Sequence, residues 1–206
     1  MKKILFLLFV LVFLAGSLFA TGNVGARVSY EELGVIAYTG DYISIAGPSL
    51  GIEWEHYGDD NQGFGYSLSY VVPLKVNISD LGGIKFDLTE VKKLTKEAAI
   101  LSESISYLSK TPTSFGNYVS GIGLSALSLV SLTEPGIVSL INLDSKVEYN
   151  FNLSKNTLFK AGVDIGLPLV GGGYQGSDFS VAPAIVALIV GIPLYARPYI
   201  GISYQY

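Results

Sequence analysis

Residues 142–152 have the sequence Asn-Leu-Asp-Ser-Lys-Val-Glu-Tyr-Asn-Phe-Asn, in which polar and mostly apolar side chains alternate. Successive side chains of a β-strand point to opposite faces of the sheet. A strand here therefore has one largely apolar face and one polar face, which we call the polar file. The polar file consists of Asn142, Asp144, Lys146, Glu148, Asn150 and Asn152. The stretch predicts a strand that separates an apolar environment from a polar one.

Two other stretches repeat this alternation. From Phe64 to Val76, aromatic and aliphatic residues at even positions oppose mostly small or polar residues at odd positions. From Phe159 to Leu169, apolar residues at odd positions oppose a file that contains Lys160 and glycines. An apolar file toward lipid and a polar or small file toward the interior are typical of transmembrane β-barrel strands.

Turn residues divide the chain into about eight strands of this kind. The predicted strands cover 24–38, 42–57, 63–76, 114–133, 137–153, 157–169, 179–192 and 197–206, and Ser154-Lys155-Asn156 is predicted to be a tight turn. The sequence thus predicts an all-β fold, an antiparallel transmembrane β-barrel with both chain ends on one side. An additional strand over 82–88 leaves ten strands open. The uncharged stretch 179–196 is long enough for a membrane helix, but a helical membrane protein would leave the polar file unexplained.

The first 20 residues have the three parts of a secretory signal peptide. Lys2 and Lys3 precede an apolar run, and small residues follow as far as Ala20. We expect residues 1–20 to be removed and residues 21–206 to form a single β-barrel domain. The chain has a formal net charge of −4 and no cysteine. Its acidity gives it no electrostatic basis for binding nucleic acid, and the missing cysteines exclude disulfides and thiolate metal sites.

The end of the sequence carries an apolar file of four residues, Ile200, Ile202, Tyr204 and Tyr206. Here the sequence resembles bacterial outer-membrane barrels, whose final strand alternates apolar residues and ends in an aromatic residue. Over most of residues 21–206 the strand pattern resembles small barrels of the OmpA and OmpX type. The resemblance implies that this file is an assembly signal for the barrel-insertion machinery. It also implies that the protein lies in the cell outer membrane, in contact with its lipid.

Residues 88–110 do not alternate as a strand does. Apolar residues recur there at spacings of four, three, four and three, which is typical of an amphipathic helix. These residues, which we call the loop face, are Leu94, Ala98, Leu101, Ile105 and Leu108. The pattern predicts one helix over 88–110, inserted in a long external loop over 77–113. We expect the loop face to pack on the barrel, or to contact the membrane surface or a surface partner.

Few residues offer chemistry. His56 is the one histidine, and alternation places it with Trp54 on the lipid side near a strand end, as in an interfacial aromatic belt. One histidine and no cysteine predict no metal site, and no cofactor motif is present. The acidic pair Glu53 and Glu55 is interpreted as part of the interior face, and Asp59 and Asp60 as part of a turn.

The predicted interior carries charges of both signs. They are Arg27, Glu53, Glu55, Lys75, Asp144, Lys146, Glu148, Lys160 and Asp164. Eight strands enclose a space just wide enough for side chains, and unpaired buried charge is costly. We therefore expect ion pairs that fill the lumen of a non-conducting, monomeric barrel.

The function that this pattern favours is a non-catalytic outer-membrane barrel with a structural or surface-interaction role. Two alternatives stay open on architecture alone: a narrow solute pore, and an exported barrel that binds an apolar ligand. A third is a lipid-modifying barrel enzyme that uses His56 as a base beside a serine nucleophile.

Overall fold

The computed structural model describes residues 22–37, 42–72, 75–78, 98–131, 136–175, 178–183 and 191–206. The predicted signal segment, residues 1–20, lies outside these ranges. The described residues form ten β-strands: β1 (Gly22–Ala37), β2 (Tyr42–Tyr57), β3 (Gln62–Val71), β4 (Lys75–Ile78), β5 (Ala98–Thr113), β6 (Gly116–Ser131), β7 (Gly136–Asn152), β8 (Thr157–Gln175), β9 (Asp178–Pro183) and β10 (Gly191–Gln205). Within these ranges there is no helix of the length and apolarity needed to cross a membrane.

The strands form one antiparallel sheet that closes on itself. The order around the ring is β1-β10-β8-β7-β6-β5-β3-β2, and β2 pairs again with β1. β4 pairs with the first residues of β2, ahead of the part that pairs with β3, so β3 and β4 share one place in the ring. β9 and β10 likewise pair with successive parts of β8. The ring therefore has eight positions, and the predicted eight-stranded antiparallel barrel is confirmed.

Both ends of the barrel domain lie at the same end of the ring, which we call the lower end. The backbone amide of Tyr206 donates to the Gly22 carbonyl over 3.1 Å. The short connections 58–61, 114–115 and 153–156 lie at this end too, and the last of them contains the predicted turn at Ser154-Lys155-Asn156. Asn61, with a φ of 59°, supplies the left-handed residue of the first connection, a conformation that asparagine tolerates well.

The outer surface of the barrel is apolar. Large exposed side chains on it include Leu50, Phe64, Ile105, Ile122, Leu143, Leu167, Ile200 and Ile202. Near the lower end these give way to aromatic residues in mutual contact: Phe64 with Tyr107 at 5.4 Å, and Tyr149 with Phe151 at 4.5 Å between ring centroids. An apolar band bordered by an aromatic girdle is the outer surface of a barrel that stands in lipid.

The prediction of a helix over 88–110 is wrong from Ala98 onward, because Ala98–Thr113 is the strand β5. Residues 88–97, including Leu94, lie outside the described residues. The loop face is not one surface: Ile105 is exposed on the outside of the barrel, whereas Leu108 is buried inside it. A strand forms here because β3 and β6 both need a partner, and β5 pairs with each along its length.

The prediction of a full strand over 179–192 is also only partly right. Asp178–Pro183 forms β9, but residues 184–190 lie outside the described residues. β10 begins at Gly191 instead of residue 197. The sequence-based count of eight strands therefore omitted β5. It also assigned two ring positions to the predicted strands 179–192 and 197–206, which occupy one position. The additional strand considered over 82–88 also lies outside the described residues.

A spin-label scan distinguishes the strand from the helix in β5. The chain has no cysteine of its own, so single cysteines placed at 100–107 can be labelled cleanly. We expect oxygen accessibility in lipid vesicles to alternate with period two, high at residues 101, 105 and 107 and low at 102 and 106, because oxygen concentrates in lipid. The same scan over 143–148 of β7 is the control. A period near 3.6 residues would contradict the assignment of β5.

Candidate functional site

The lumen of the barrel holds a continuous set of buried charged side chains. Among the described residues these are Arg27, Glu31, Glu53, Glu55, Asp144, Lys146, Glu148, Lys160, Asp164 and Arg197. They come from β1, β2, β7, β8 and β10, each at a position where the strand's alternation turns it inward. Because lipid covers the outside, these groups can compensate one another only across the lumen. They are arranged in two clusters, one above the other.

The lower cluster consists of Glu53, Glu55, Lys146, Glu148 and Lys160. The Lys160 ammonium lies 2.8 Å from the Glu53 carboxylate, 2.7 Å from Glu55 and 3.4 Å from Glu148. The Lys146 ammonium lies 3.1 Å from Glu55 and 3.3 Å from Glu148. The ion pairs between these two ammonium groups and three carboxylates thus join β2, β7 and β8 across the lumen.

An apolar plug closes the barrel below this cluster. Tyr57, Leu108 and Val119 form a fully buried group on β2, β5 and β6. The Tyr57 hydroxyl donates to the Glu55 carboxylate over 3.2 Å, which links the plug to the lower cluster. The Lys110 ammonium lies 4.3 Å from the centre of the Tyr57 ring on the same side. The lower part of the lumen is therefore filled by side chains.

The upper cluster is built around Asp164, which accepts hydrogen bonds from Arg197 and forms a longer ion pair with Arg27. The Arg197 guanidinium donates to the Asp164 carboxylate through Nε at 2.9 Å and through a second nitrogen at 2.5 Å. Arg27 lies 3.8 Å from the same carboxylate and donates to the Ser67 hydroxyl over 2.8 Å. Arg197 also donates to Ser102 over 2.9 Å on the opposite wall. The guanidinium groups of Arg27 and Arg197, with the serine hydroxyls that accept from them, thus span the upper lumen.

Within the described ranges, the remaining acidic groups of the upper cluster form no ion pair with an arginine or lysine. Glu31 accepts a hydrogen bond from the Tyr195 hydroxyl over 2.8 Å. Asp144 is 3% exposed and forms no ion pair within the described part of the chain. Asn142, two residues before it, donates through its side-chain nitrogen to the Ser125 hydroxyl over 3.1 Å.

The structure brings most of the polar file together in the lumen. Asn142, Asp144, Lys146, Glu148 and Asn150 are buried there, whereas Asn152 is exposed next to the 153–156 turn. The sequence also predicted that Lys75 points inward, but the side chain of Lys75 lies outside the described set. Sequence reasoning missed Glu31 and Arg197. Arg197 could have been found by extending the alternation of Ile200 and Ile202 back to the first residue of that predicted strand.

The C-terminal apolar file lies on the outer surface, as alternation requires. Ile200, Ile202 and Tyr204 are exposed on β10, and Tyr206 is exposed directly after its last residue. The Trp54 indole donates to the Tyr206 hydroxyl over 2.9 Å, which connects β10 to β2 across β1. His56 stacks on Trp54 with ring centroids 5.9 Å apart. These residues form part of the lower aromatic girdle.

Three carboxylates of the lower cluster have oxygens close enough to share a metal ion. One oxygen each from Glu53, Glu55 and Glu148 lies within 4.8 Å of the others. Lys160, however, lies within 3.4 Å of all three carboxylates and supplies the positive charge that an ion would bring. The cluster is therefore an ion-pair network, in which a metal cation would have to displace a buried ammonium group.

Comparison with solved structures finds several similar chains. Neisserial surface protein A matches with a TM-score of 0.54 and 13% identity, over 91% of this chain and 100% of that chain. Ail, the attachment invasion locus protein of Yersinia pestis, matches with a TM-score of 0.40 and 11% identity, over 90% of this chain and 99% of that chain. The N-terminal β-barrel domain of Pseudomonas aeruginosa OprF matches with a TM-score of 0.43 and 11% identity, over 87% of this chain and 97% of that chain.

The sequence matches no protein-family model and no curated protein. The likeness to Neisserial surface protein A shows a shared fold, the small closed barrel that the resemblance to outer-membrane barrels implied. At 13% identity, this likeness is evidence for the fold alone.

Removal of the Lys160 charge tests the lower cluster. In K160M, three buried carboxylates lose their common partner, so we expect the free energy of unfolding to fall by about 3–5 kcal/mol. Urea titration in lipid vesicles measures this. The matched control is K155M, because Lys155 is exposed in the 153–156 turn and should leave the unfolding midpoint unchanged. Equal stability of K160M and the unmodified protein would contradict the ion-pair network.

Proposed function

We propose that this chain is a non-catalytic barrel of the bacterial outer membrane, with a closed lumen and a structural or surface-interaction role. The single observation that carries the proposal is the division of side chains between the two faces of the sheet. Large aliphatic and aromatic side chains cover the outside, and ten of the charged residues that the structure describes are buried inside. Such a molecule is stable in lipid and would expose a large apolar surface in water.

The packing of the lumen supports a role without conduction. Tyr57, Leu108 and Val119 pack together at the lower end, and the two charged clusters lie above them across the lumen. A solute pore would need a continuous water-filled path through these groups. An apolar ligand would meet charged groups instead of an apolar wall, so the lumen also suits a ligand-carrying barrel poorly.

The surroundings of His56 support a structural role for this residue. Within the described part of the chain its Nδ1 atom has no hydrogen-bond partner. A general base is normally oriented by a group that binds its second nitrogen. Stacking on Trp54 near the lower end instead places His56 in the aromatic girdle. This favours interfacial anchoring over lipid modification.

The partners that we propose are the lipid of the outer membrane and, during insertion, the barrel-assembly machinery. The exposed file of Ile200, Ile202, Tyr204 and Tyr206 is the surface that the machinery would recognise. The lower end has short connections, so any specific contact outside the cell belongs to the upper end. The loop over 79–97, which lies outside the described residues, joins β4 to β5 at that end.

Bilayer recording on protein taken from the outer-membrane fraction tests this proposal. We expect a band in that fraction whose gel mobility shifts on boiling, because a closed barrel unfolds slowly. The folded protein should then show no stable conductance steps, while a porin reconstituted in parallel does. Recovery in a soluble fraction would contradict the location, and steady conductance steps from the folded band would contradict the closed lumen.

A further inference from the structure

The described ion pairs are distributed differently in the two clusters. In the lower cluster, each of the three carboxylates lies within 3.4 Å of the Lys160 ammonium. In the upper cluster, both arginines have their ion pairs with Asp164, and Glu31 and Asp144 have none within the described part of the chain. The upper cluster therefore holds two buried carboxylates without a direct counter-charge among the described residues.

Of these two carboxylates, Glu31 accepts a hydrogen bond from Tyr195, whereas Asp144 has fewer polar partners. Its carboxylate is 3% exposed, and neither of its oxygens has a well-directed hydrogen bond within the described residues. The neighbouring donor is the Ser125 hydroxyl, and the charged groups that act on it are Arg197, Asp164 and Glu31. Arg197 acts on Asp144 from beyond ion-pair distance, since its own ion pair is with Asp164. A buried carboxylate without a direct counter-charge costs several kcal/mol. Such a group is stabilised when a cation binds to it.

Two further buried oxygens of the upper lumen also have no hydrogen-bond partner among the residues that the structure describes. The side-chain nitrogen of Asn142 is held by Ser125, which leaves its Oδ1 atom free in a fully buried position. Glu31 uses Oε2 to accept from Tyr195, which leaves Oε1 without a partner. Carboxylate and amide oxygens without nitrogen or sulfur ligands are the donor set that hard cations prefer.

The glycine neighbours of Asp144 fix where its carboxylate lies. In the sheet register its two neighbours are Gly123 on β6 and Gly166 on β8. A Cβ atom added at Gly166 would collide with the Asp144 carboxylate, so a larger residue there would displace it. A Cβ atom added at Gly123 would meet the Ser106 side chain instead. The carboxylate therefore packs on the backbone of Gly166.

We propose that the upper lumen binds one hard metal cation, with Asp144 as its main ligand. Asn142 Oδ1 and Glu31 Oε1 supply further oxygens, and water completes the coordination shell. The cation takes the place that Lys160 has in the lower cluster, where an ammonium group neutralises the surplus carboxylates. It thereby joins β7 and β1 across the lumen by electrostatic attraction.

Equilibrium dialysis of the full folded barrel tests the proposal. Protein treated with a chelator is dialysed against radioactive calcium, with magnesium or sodium chloride as competitor at constant ionic strength. We expect one calcium ion per chain, and at least about tenfold weaker binding in D144N, since a main ligand is lost. D59N is the matched control, because Asp59 is an exposed carboxylate in the 58–61 connection and should leave binding unchanged. Displacement by magnesium indicates a divalent site, and displacement by sodium at equal concentration indicates a site for either charge.

The unfolding temperature gives a second readout that a misfolded variant cannot imitate. Without added cation, D144N should be at least as stable as the unmodified protein, because it has lost an uncompensated buried charge. Added cation should raise the unfolding temperature of the unmodified protein and of D59N, but not that of D144N. No calcium, magnesium or sodium dependence in the unmodified protein, or equal binding by folded D144N, would overturn the proposal.

Discussion

The hydrogen bonds that join β1 to its two neighbours close the ring, and the rest of the structure depends on this closure. Hydrocarbon offers no partner for a backbone amide or carbonyl group, so an open sheet edge in lipid is strongly unfavourable. β1 pairs with β10 from Asn23 to Ala37 and with β2 from Gly22 to Ile36. Closure with eight positions also fixes the width of the interior, which leaves space for side chains but for little else.

The narrow interior explains why the lumen charges interact so closely. The inward residues of β2, β7 and β8 must meet near the barrel axis, and there Lys160 contacts three carboxylates. These contacts also specify the register of the strands. A slip of one residue in β7 would move Glu148 into lipid and Val147 into the charged interior. The apolar exterior, the ion pairs and the closed ring therefore stabilise the same arrangement.

Alternation in the sequence was sufficient to predict the barrel and most of its interior charges. The predicted number of eight positions, however, came from two errors that cancel, because β5 was omitted and two positions were assigned to residues that occupy one. Alternation worked for β7 because that strand has a polar residue at each inward position from Asn142 to Asn150. It failed for β5, where Glu103 points outward and Leu108 points inward, so the remaining apolar residues fell by chance on a helical spacing. The inward serines Ser102 and Ser106 were the signal of a strand. The pairing of Arg197 with Asp164 depends on contacts across the ring, which no local pattern contains.

The closure of the ring can be measured directly by amide hydrogen exchange of the barrel in lipid. In a closed ring, successive amides of β1 donate in turn to β10 and to β2, so all amides from Val24 to Ser29 should be as strongly protected as those in the middle of β7. An open sheet would leave β1 or β10 as an edge strand. Fast exchange at every second amide along either strand would contradict the closed barrel.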